Sequence, residues 1–311
     1  MSRLFDAYIV VDWSARNVPS PKKPTADAIW VGEKTSSDFS QETYWPTRFQ
    51  CLSYLKKRLV YYVKKKRKVC IGFDFSYGYP SGYAKALGLH GNSPPWMLIW
   101  QELSRLIQDE QDNHNNRYQI AAELNSRCGN GGPLWGCPQH TRLRCLNPKS
   151  PRFPFKTKAG VSLSKFRIVD TFLPRIQPAW KLAYTASVGS QILVGIPKVA
   201  QLQNDPQLAD VSKVWPFETG FTPRPTPTKG PFILHVEIWP GIVSSSLDKT
   251  ISIRDQAQVR AMVTWLSSLD DQGKLAPLFD TPPNLTKEQI TKCFSEEGWI
   301  IGAGHNSLPR R

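Results

Sequence analysis

Long apolar runs are missing from this chain of 311 residues, and no stretch approaches the roughly 20 residues that a membrane-spanning helix needs. The first apolar stretch, residues 7–11, is too short for a signal peptide and meets Asp12 at once. These two absences predict a cytoplasmic protein with no membrane partner. In that compartment we expect the six cysteines to stay reduced.

Acidic residues are also scarce, because 25 Asp and Glu stand against 40 Lys and Arg and leave a net charge of +15. Such an excess favours a polyanionic partner such as nucleic acid, or an acidic ligand. Eight of the positive charges lie between Lys56 and Lys68 with no acid among them, so the rest of the chain carries only +7. The basic run, rather than the whole chain, is therefore the candidate surface for nucleic acid.

This basic run falls on a predicted helix at residues 48–66, where apolar residues recur at helical spacing and basic residues occupy the other faces. A solvated helix face that aids solubility is the alternative interpretation. The lysines that we predict to contact a nucleic-acid backbone are Lys56, Lys57, Lys64, Lys65 and Lys66.

The order of the predicted elements is typical of an α/β protein. Strands are predicted at residues 4–12, 27–33 and 42–47, followed by the basic helix and a strand at 69–75. We expect this fourth strand to lie parallel to the first and to be buried on both faces. Further helices are predicted at 95–108, 186–202 and 255–269, a strand at 232–238, and a last helix that begins near Thr286 with a capping box to Gln289. Residues 112–167 show little periodicity.

Three of the predicted strands end in a carboxylate followed by a turn, at Asp12, Asp74 and Glu237. A carboxylate is costly to bury unpaired, and the usual reasons for doing so are a metal ion, a cationic partner or a proton to be moved. Neighbouring parallel strands would place Asp12 and Asp74 side by side at their carboxyl ends, where open α/β sheets bind ligands. Asp255 lies four residues before Val259, so it would project from the helix face that meets the sheet.

Each of these acids has a structural alternative. Asp12 can cap a turn through the backbone of Ser14, and Asp74 can form a salt bridge. Glu237 can be a structural acid before a proline turn. Asp255 can form a capping box with Gln258, three residues further on. A metal site needs several of the four acids at once.

Several motifs along the chain resemble an uncharacterised family of predicted RNase H-like nucleases. They are VDWSA at 11–15, GFDF at 72–75 with GYP at 78–80, VEIWP at 236–240 and DQAQVR at 255–260, with GPLWGCP at 132–138, SVGSQ at 187–191, VWPFETG at 214–220 and EEGWI at 296–300. The resemblance implies an α/β, ribonuclease H-like mixed sheet flanked by helices. It also implies one domain over residues 1–311, with a core at 1–83 and 231–311 and a large mixed insertion at 84–230, between the fourth and fifth core strands.

The resemblance further implies a metal-dependent phosphodiester hydrolase, that is, a nuclease with water as the nucleophile. Its catalytic residues and metal ligands would be Asp12, Asp74, Glu237 and Asp255, and their hard oxygen atoms suit Mg²⁺ or Mn²⁺. The segment at 84–230 is longer than the core fold requires, and the first helix offers no obvious fourth acid. Two alternatives therefore stay open: a phosphotransfer or hydrolysis enzyme that acts on a nucleotide or cofactor, although no kinase-type glycine-rich loop is present, and a non-catalytic nucleic-acid-binding protein.

Polar residues outside the acid set are candidates for substrate binding. The asparagines and arginines near residues 115–127 could bind phosphate or lie in a solvated loop. The SVGS run could present backbone N–H groups to an anion or simply cap a helix. The full set comprises Ser14, Ser76, Asn116, Arg117, Asn125, Ser187, Ser190, Gln191 and Glu218.

Zinc-compatible side chains occur at Cys128, Cys137, His140 and Cys145. Their spacing fits no standard zinc module, so ordinary reduced thiols are the default interpretation.

Overall fold

A computed structural model describes residues 3–36, 39–129, 131–138, 141, 143–184 and 187–305. Each strongly patterned strand of the sequence is present within a few residues of its predicted bounds. The strands are β1 (Ala7–Asp12), β2 (Ile29–Thr35), β3 (Ser40–Trp45), β4 (Lys68–Phe73), β5 (Phe155–Lys156), β6 (Ser162–Leu163), β7 (Ser212–Val214) and β8 (Phe232–Glu237).

The helices are α1 (Arg48–Lys64), α2 (Tyr83–Ala86), α3 (Pro95–Leu106), α4 (Arg117–Cys128), α5 (Gly189–Gln203), α6 (Arg254–Asp271) and α7 (Lys287–Lys292). The helices predicted from apolar periodicity are also present, together with two further helices, α2 and α4. The capping box predicted at the start of α7 is confirmed, with both the Thr286 and the Gln289 hydrogen bonds formed. Among the described residues, no helix is both long enough and apolar enough to cross a membrane.

Six strands form one mixed sheet in the order β3-β2-β1-β4-β8-β7. The β1, β2 and β3 strands are antiparallel neighbours, whereas β4 pairs parallel with β1, β8 with β4, and β7 with β8. The prediction for β4 is confirmed, since it lies parallel to β1 and its residues after Lys68 are buried. An α/β fold with a mixed sheet flanked by helices is therefore established.

The sheet separates two apolar clusters. On one face α6 packs against β1 and β2, and it does so closely: a Cβ on Gly32 would lie 2.7 Å from the carbonyl oxygen of Val259. On the other face, α1 and α5 pack on the sheet together with α3 and α4. This second cluster contains residues from the middle segment as well as from β1 and β4. The middle segment and the sheet therefore share one apolar core.

Three local features differ from what the sequence pattern alone indicates. Residues 117–128 form α4, although the sequence around them lacks a clear period, because its buried face includes Arg117 and Asn125. The short β7 joins the sheet edge beside β8, although it lies within the predicted insertion. Asp255 makes no capping box, because α6 begins one residue earlier with Ile253 at its N-cap position.

Candidate active site at the carboxyl edge of the sheet

Asp12 and Asp74 come together because of strand register. Val11 pairs with Phe73 in the parallel β1–β4 ladder, so the next residue of each strand, Asp12 and Asp74, occupies the next position. Side chains alternate between faces along a strand, which puts both acids on the same face as Val10, the face covered by α6. The backbone N–H of Trp13 donates to Oδ1 of Asp74 at 2.8 Å and fixes the orientation of that carboxylate.

Asp255 reaches the same face from the first turn of α6. Its Oδ2 accepts a hydrogen bond of 2.7 Å from the backbone N–H of Asp27, and the N–H of Ala28 also binds the carboxylate. Asp255 therefore ties α6 to the turn before β2 and at the same time brings its charge towards Asp12. Asp27, whose backbone has a φ of 54°, brings a further acid to the group.

The acids raise one another's pKa. Burial raises the pKa of Asp12 well above its usual value, and the charges of Asp74, Asp255 and Asp27 raise it further. Burial also raises the pKa of Asp74, to about 7, against the hydrogen bond from Trp13 and with a further contribution from Asp255. Burial is likewise the main cause of the raised pKa of Asp255. These acids therefore form one electrostatic group, which we call the acid cluster: Asp12, Asp27, Asp74 and Asp255.

The structural alternatives for the two strand acids do not hold among the described residues. No salt bridge involves Asp74, and no hydrogen bond or ion pair involves the side chain of Asp12. Both acids are partly buried and lie among other carboxylates, so a proton or a cation stabilises them there. The oxygen donors and the charge of the cluster suit a divalent metal ion. As they are placed, however, no three Asp, Glu, His or Cys side chains of the described chain are arranged to hold an ion together, so binding one requires side-chain movement.

Glu237 has a different partner. It pairs with Phe73, one register position before Asp74, so its side chain lies on the opposite face from the acid cluster. Both carboxylate oxygens accept from the buried guanidinium of Arg167, each at 2.7 Å, and the N–H of Tyr77 donates to one of them at 3.1 Å. Arg167 also pairs with Asp170 at 2.9 Å. These bonds fit a structural ion pair better than the metal-ligand role expected from the sequence.

A cleft of about 920 Å³ opens at this edge of the sheet. Its lining includes Asp27 and Asp74 of the acid cluster and also Glu237. Two exposed arginines, Arg175 and Arg254, line it as well, and neither forms an ion pair within the part of the chain that the structure describes. The volume lies within the range of about 300–1,000 Å³ that is usual for small-molecule sites.

Only some of the substrate-binding candidates reach the cleft. Ser76, Ser187 and Gln191 line it, and the side-chain amide of Gln191 donates to the carbonyl oxygen of Trp13. Ser14 lies close by, because its hydroxyl donates to the carbonyl oxygen of Asp27 at 3.3 Å. The N-cap position of α5 is Val188, which makes no side-chain cap, so SVGS is not a serine cap.

The other candidates are engaged in internal hydrogen bonds. Arg117 donates to Ser190, whose hydroxyl in turn donates to the carbonyl oxygen of Leu182. The amide of the buried Asn125 bonds to the backbone of residues 134 and 145. Asn116 joins the turn after α3 to the start of α4. Glu218 accepts from the N–H of Val214 at 2.7 Å and from Gln203, so it stabilises the turn after β7.

The cysteines form no metal-binding group among the described residues. All six are free thiols, and Cys128 and Cys137 are buried. His140 lies outside the described residues, and the other three candidate ligands belong to no group that could hold a metal.

Three of the five predicted nucleic-acid lysines lie at the other edge of the sheet, and Lys56 and Lys57 lie in the middle of α1. The α1 helix runs back to the start of β4, so Lys64, Lys65 and Lys66 stand at the amino end of a strand whose carboxyl end precedes Asp74. Six residues at about 3.3 Å each separate the two edges by about 20 Å. Lys57 and these three lysines are exposed, whereas Lys56 pairs with Asp205 at 2.6 Å.

Four functional candidates were not predicted from the sequence. Asp27 precedes an ordinary strand, and Arg167, Arg175 and Arg254 lie in no recognisable motif. Only the fold brings these residues to the carboxyl edge. Comparison of the chain with protein-family models, with curated proteins and with solved structures found no match.

Proposed function

We propose that the protein is a divalent-metal-dependent hydrolase of phosphate esters that acts at the acid cluster. One observation carries the proposal: Asp12 has no hydrogen-bonding or cationic partner among the described residues, yet it faces Asp74 and Asp255. A partly buried carboxylate that other carboxylates surround is stabilised as an anion by a cation beside it. The order of β1, β2, β3, α1 and β4, on which the resemblance to RNase H-like nucleases partly rests, supports the same reading.

Asp12, Asp74 and Asp255 would hold the metal, which we expect to be Mg²⁺ or Mn²⁺. When bound, the ion supplies charge neutralisation at the phosphate and activation of a water molecule. The N–H of Trp13 keeps Asp74 in place, while the N–H groups of residues 27 and 28 orient Asp255. Glu237 contributes by supporting the end of β8 through Arg167.

The test measures Mn²⁺ binding and hydrolysis together. Wild type, Asp12→Asn and Asp74→Asn are titrated with Mn²⁺ and assayed on bis(p-nitrophenyl) phosphate, on p-nitrophenyl phosphate, and on DNA and RNA. Each substitution removes a carboxylate ligand, and the metal contributes several kcal/mol at the transition state, so we expect activity to fall by about 100-fold or more.

A matched control is Asp210→Asn, which changes an exposed acid outside the cleft lining. Its Mn²⁺ affinity and its activity are expected to equal those of wild type. Wild type that binds no Mn²⁺ and hydrolyses none of these esters with either metal would show the proposal to be wrong.

A further inference from the structure

The cleft carries features that the acid cluster does not use. Arg175 and Arg254 are exposed at its wall, without an ion pair within the described ranges. The backbone of Arg175 lies in the left-handed region, with a φ of 61°, which costs about 1–2 kcal/mol for a residue with a Cβ. Guanidinium groups match phosphate oxygens in geometry as well as in charge.

Two aromatic side chains line the same cleft. Tyr184 is 55% exposed, although its hydroxyl is anchored to the carbonyl oxygen of Cys137 at 3.2 Å. Trp239 follows β8 and is half-buried, with its indole ring packed so closely on Gly241 that a Cβ there would lie 2.3 Å from it. Anchored aromatic rings offer flat surfaces on which a nucleobase can stack.

Resting on the function proposed above, we infer that the cleft binds a nucleotide-sized phosphate ester. Arg175 and Arg254 contact its phosphate groups beside the acid cluster, and Trp239 and Tyr184 contact its base. These contacts need no more than one nucleotide. The exposed Lys64, Lys65 and Lys66, which could hold the backbone of a longer chain, lie outside the cleft at the other end of a six-residue strand, about 20 Å away.

The experiment measures binding of AMP and ADP in the presence of Mn²⁺, with ribose 5-phosphate as the probe that lacks a base. We expect both nucleotides to bind, and ribose 5-phosphate to bind at least about 5-fold more weakly because it cannot stack. Arg175→Gln and Arg254→Gln should each weaken nucleotide binding about 10- to 100-fold, through the loss of charged hydrogen bonds. Both variants should retain the thermal stability of wild type, and Arg175→Gln should also retain its Mn²⁺ affinity. Arg254 adjoins Asp255 and its charge acts on that carboxylate, so Arg175→Gln is the variant that separates nucleotide binding from metal binding.

Arg224→Gln is the matched control, because Arg224 is exposed but outside the cleft lining. A single-stranded 20-mer should bind without regard to the two cleft arginines. The inference is overturned if AMP and ADP fail to bind, if Arg175→Gln and Arg254→Gln bind them as wild type does, or if the 20-mer rather than the nucleotides depends on these arginines.

The two proposals fail in different ways. Mn²⁺ binding and ester hydrolysis without nucleotide binding would leave the hydrolase proposal standing and remove the nucleotide. Nucleotide binding that needs Arg175 and Arg254, in a protein that neither binds Mn²⁺ nor hydrolyses esters, would remove the hydrolase proposal and leave the nucleotide site.

Discussion

Arg167 is the cation that neutralises Glu237 and gives it a structural role. Its buried guanidinium binds both oxygens of Glu237 and also Asp170, and it donates to the carbonyl oxygen of Glu297 at 3.0 Å. The partners come from β8, from a short 3-10 helix (Val169–Phe172) and from the C-terminal segment. A single side chain thus joins three parts of the chain behind the cleft.

We expect Arg167→Met to lower the free energy of unfolding by about 3–5 kcal/mol, because it leaves two buried carboxylates without their cation. Glu237→Gln should cost less, since Asp170 still pairs with Arg167. Urea unfolding measures both changes. Glu237→Gln should also keep the Mn²⁺ affinity of wild type. A loss of Mn²⁺ binding in this variant would show that Glu237 is a metal ligand after all.

The acid cluster makes the stability of the metal-free protein depend on pH. The pKa of Asp74 is raised to about 7 in the folded state, whereas an Asp in an unfolded chain titrates near 4. Between these values the folded state holds a proton that the unfolded state has released. The contribution of Asp74 to the free energy of unfolding therefore falls as the pH rises from about 4 through 7.

Urea unfolding in EDTA, from pH 5 to 8, compares wild type with Asp74→Asn. We expect wild type to lose stability relative to the variant as the pH rises, and added Mn²⁺ to reverse that loss. The comparison is made between proteins because buried His235, with its pKa lowered by burial to about 3, has the opposite pH dependence and is common to both. A difference that stays constant with pH would contradict the raised pKa.

At the scale of elements, periodicity explains what the sequence could predict. The paired strands β1, β4 and β8 are runs of apolar residues, and α6 carries a regular apolar stripe, so their positions and the parallel β1–β4 pairing followed from the pattern. The α4 helix was missed because Arg117 and Asn125 occupy its buried face. The β7 strand has three residues, too few to show any period.

The same limit applies to the candidate site. That Asp12 and Asp74 share a face could be predicted from two parallel strands that end in an acid. Glu237 also ends a strand, but its side chain lies on the other face because β8 pairs with β4 one residue out of step with the two aspartates. A register offset of a single residue leaves no trace in the sequence of either strand, and neither does the distant arginine that neutralises Glu237.

At the scale of the whole molecule, Lys64, Lys65 and Lys66 and the acid cluster lie at opposite edges of the sheet. Nucleic-acid binding by these lysines is therefore separable from hydrolysis. We expect Lys57→Ala, Lys64→Ala and Lys65→Ala together to reduce the slope of log K against log salt for duplex DNA by about 2–3, since each lost phosphate contact removes about 0.9. Binding measured between low and high salt tests this.

The triple variant should hydrolyse small phosphate esters as wild type does, because no part of the acid cluster changes. A matched control replaces three exposed lysines elsewhere, Lys229, Lys249 and Lys287. An equal reduction of the salt slope in both triples would mean that the DNA responds to net charge alone, and that the lysines of α1 form no binding surface.

The parallel pairing of β4 with β8 has a consequence for biosynthesis. About 160 residues separate the paired positions Phe73 and Glu237, so the ribosome completes β1 to β4 long before their last partner exists. Throughout that interval one side of β4 is an open row of backbone donors and acceptors, the kind of template on which nascent chains aggregate. The unfinished sheet is therefore exposed to aggregation until translation has passed β8.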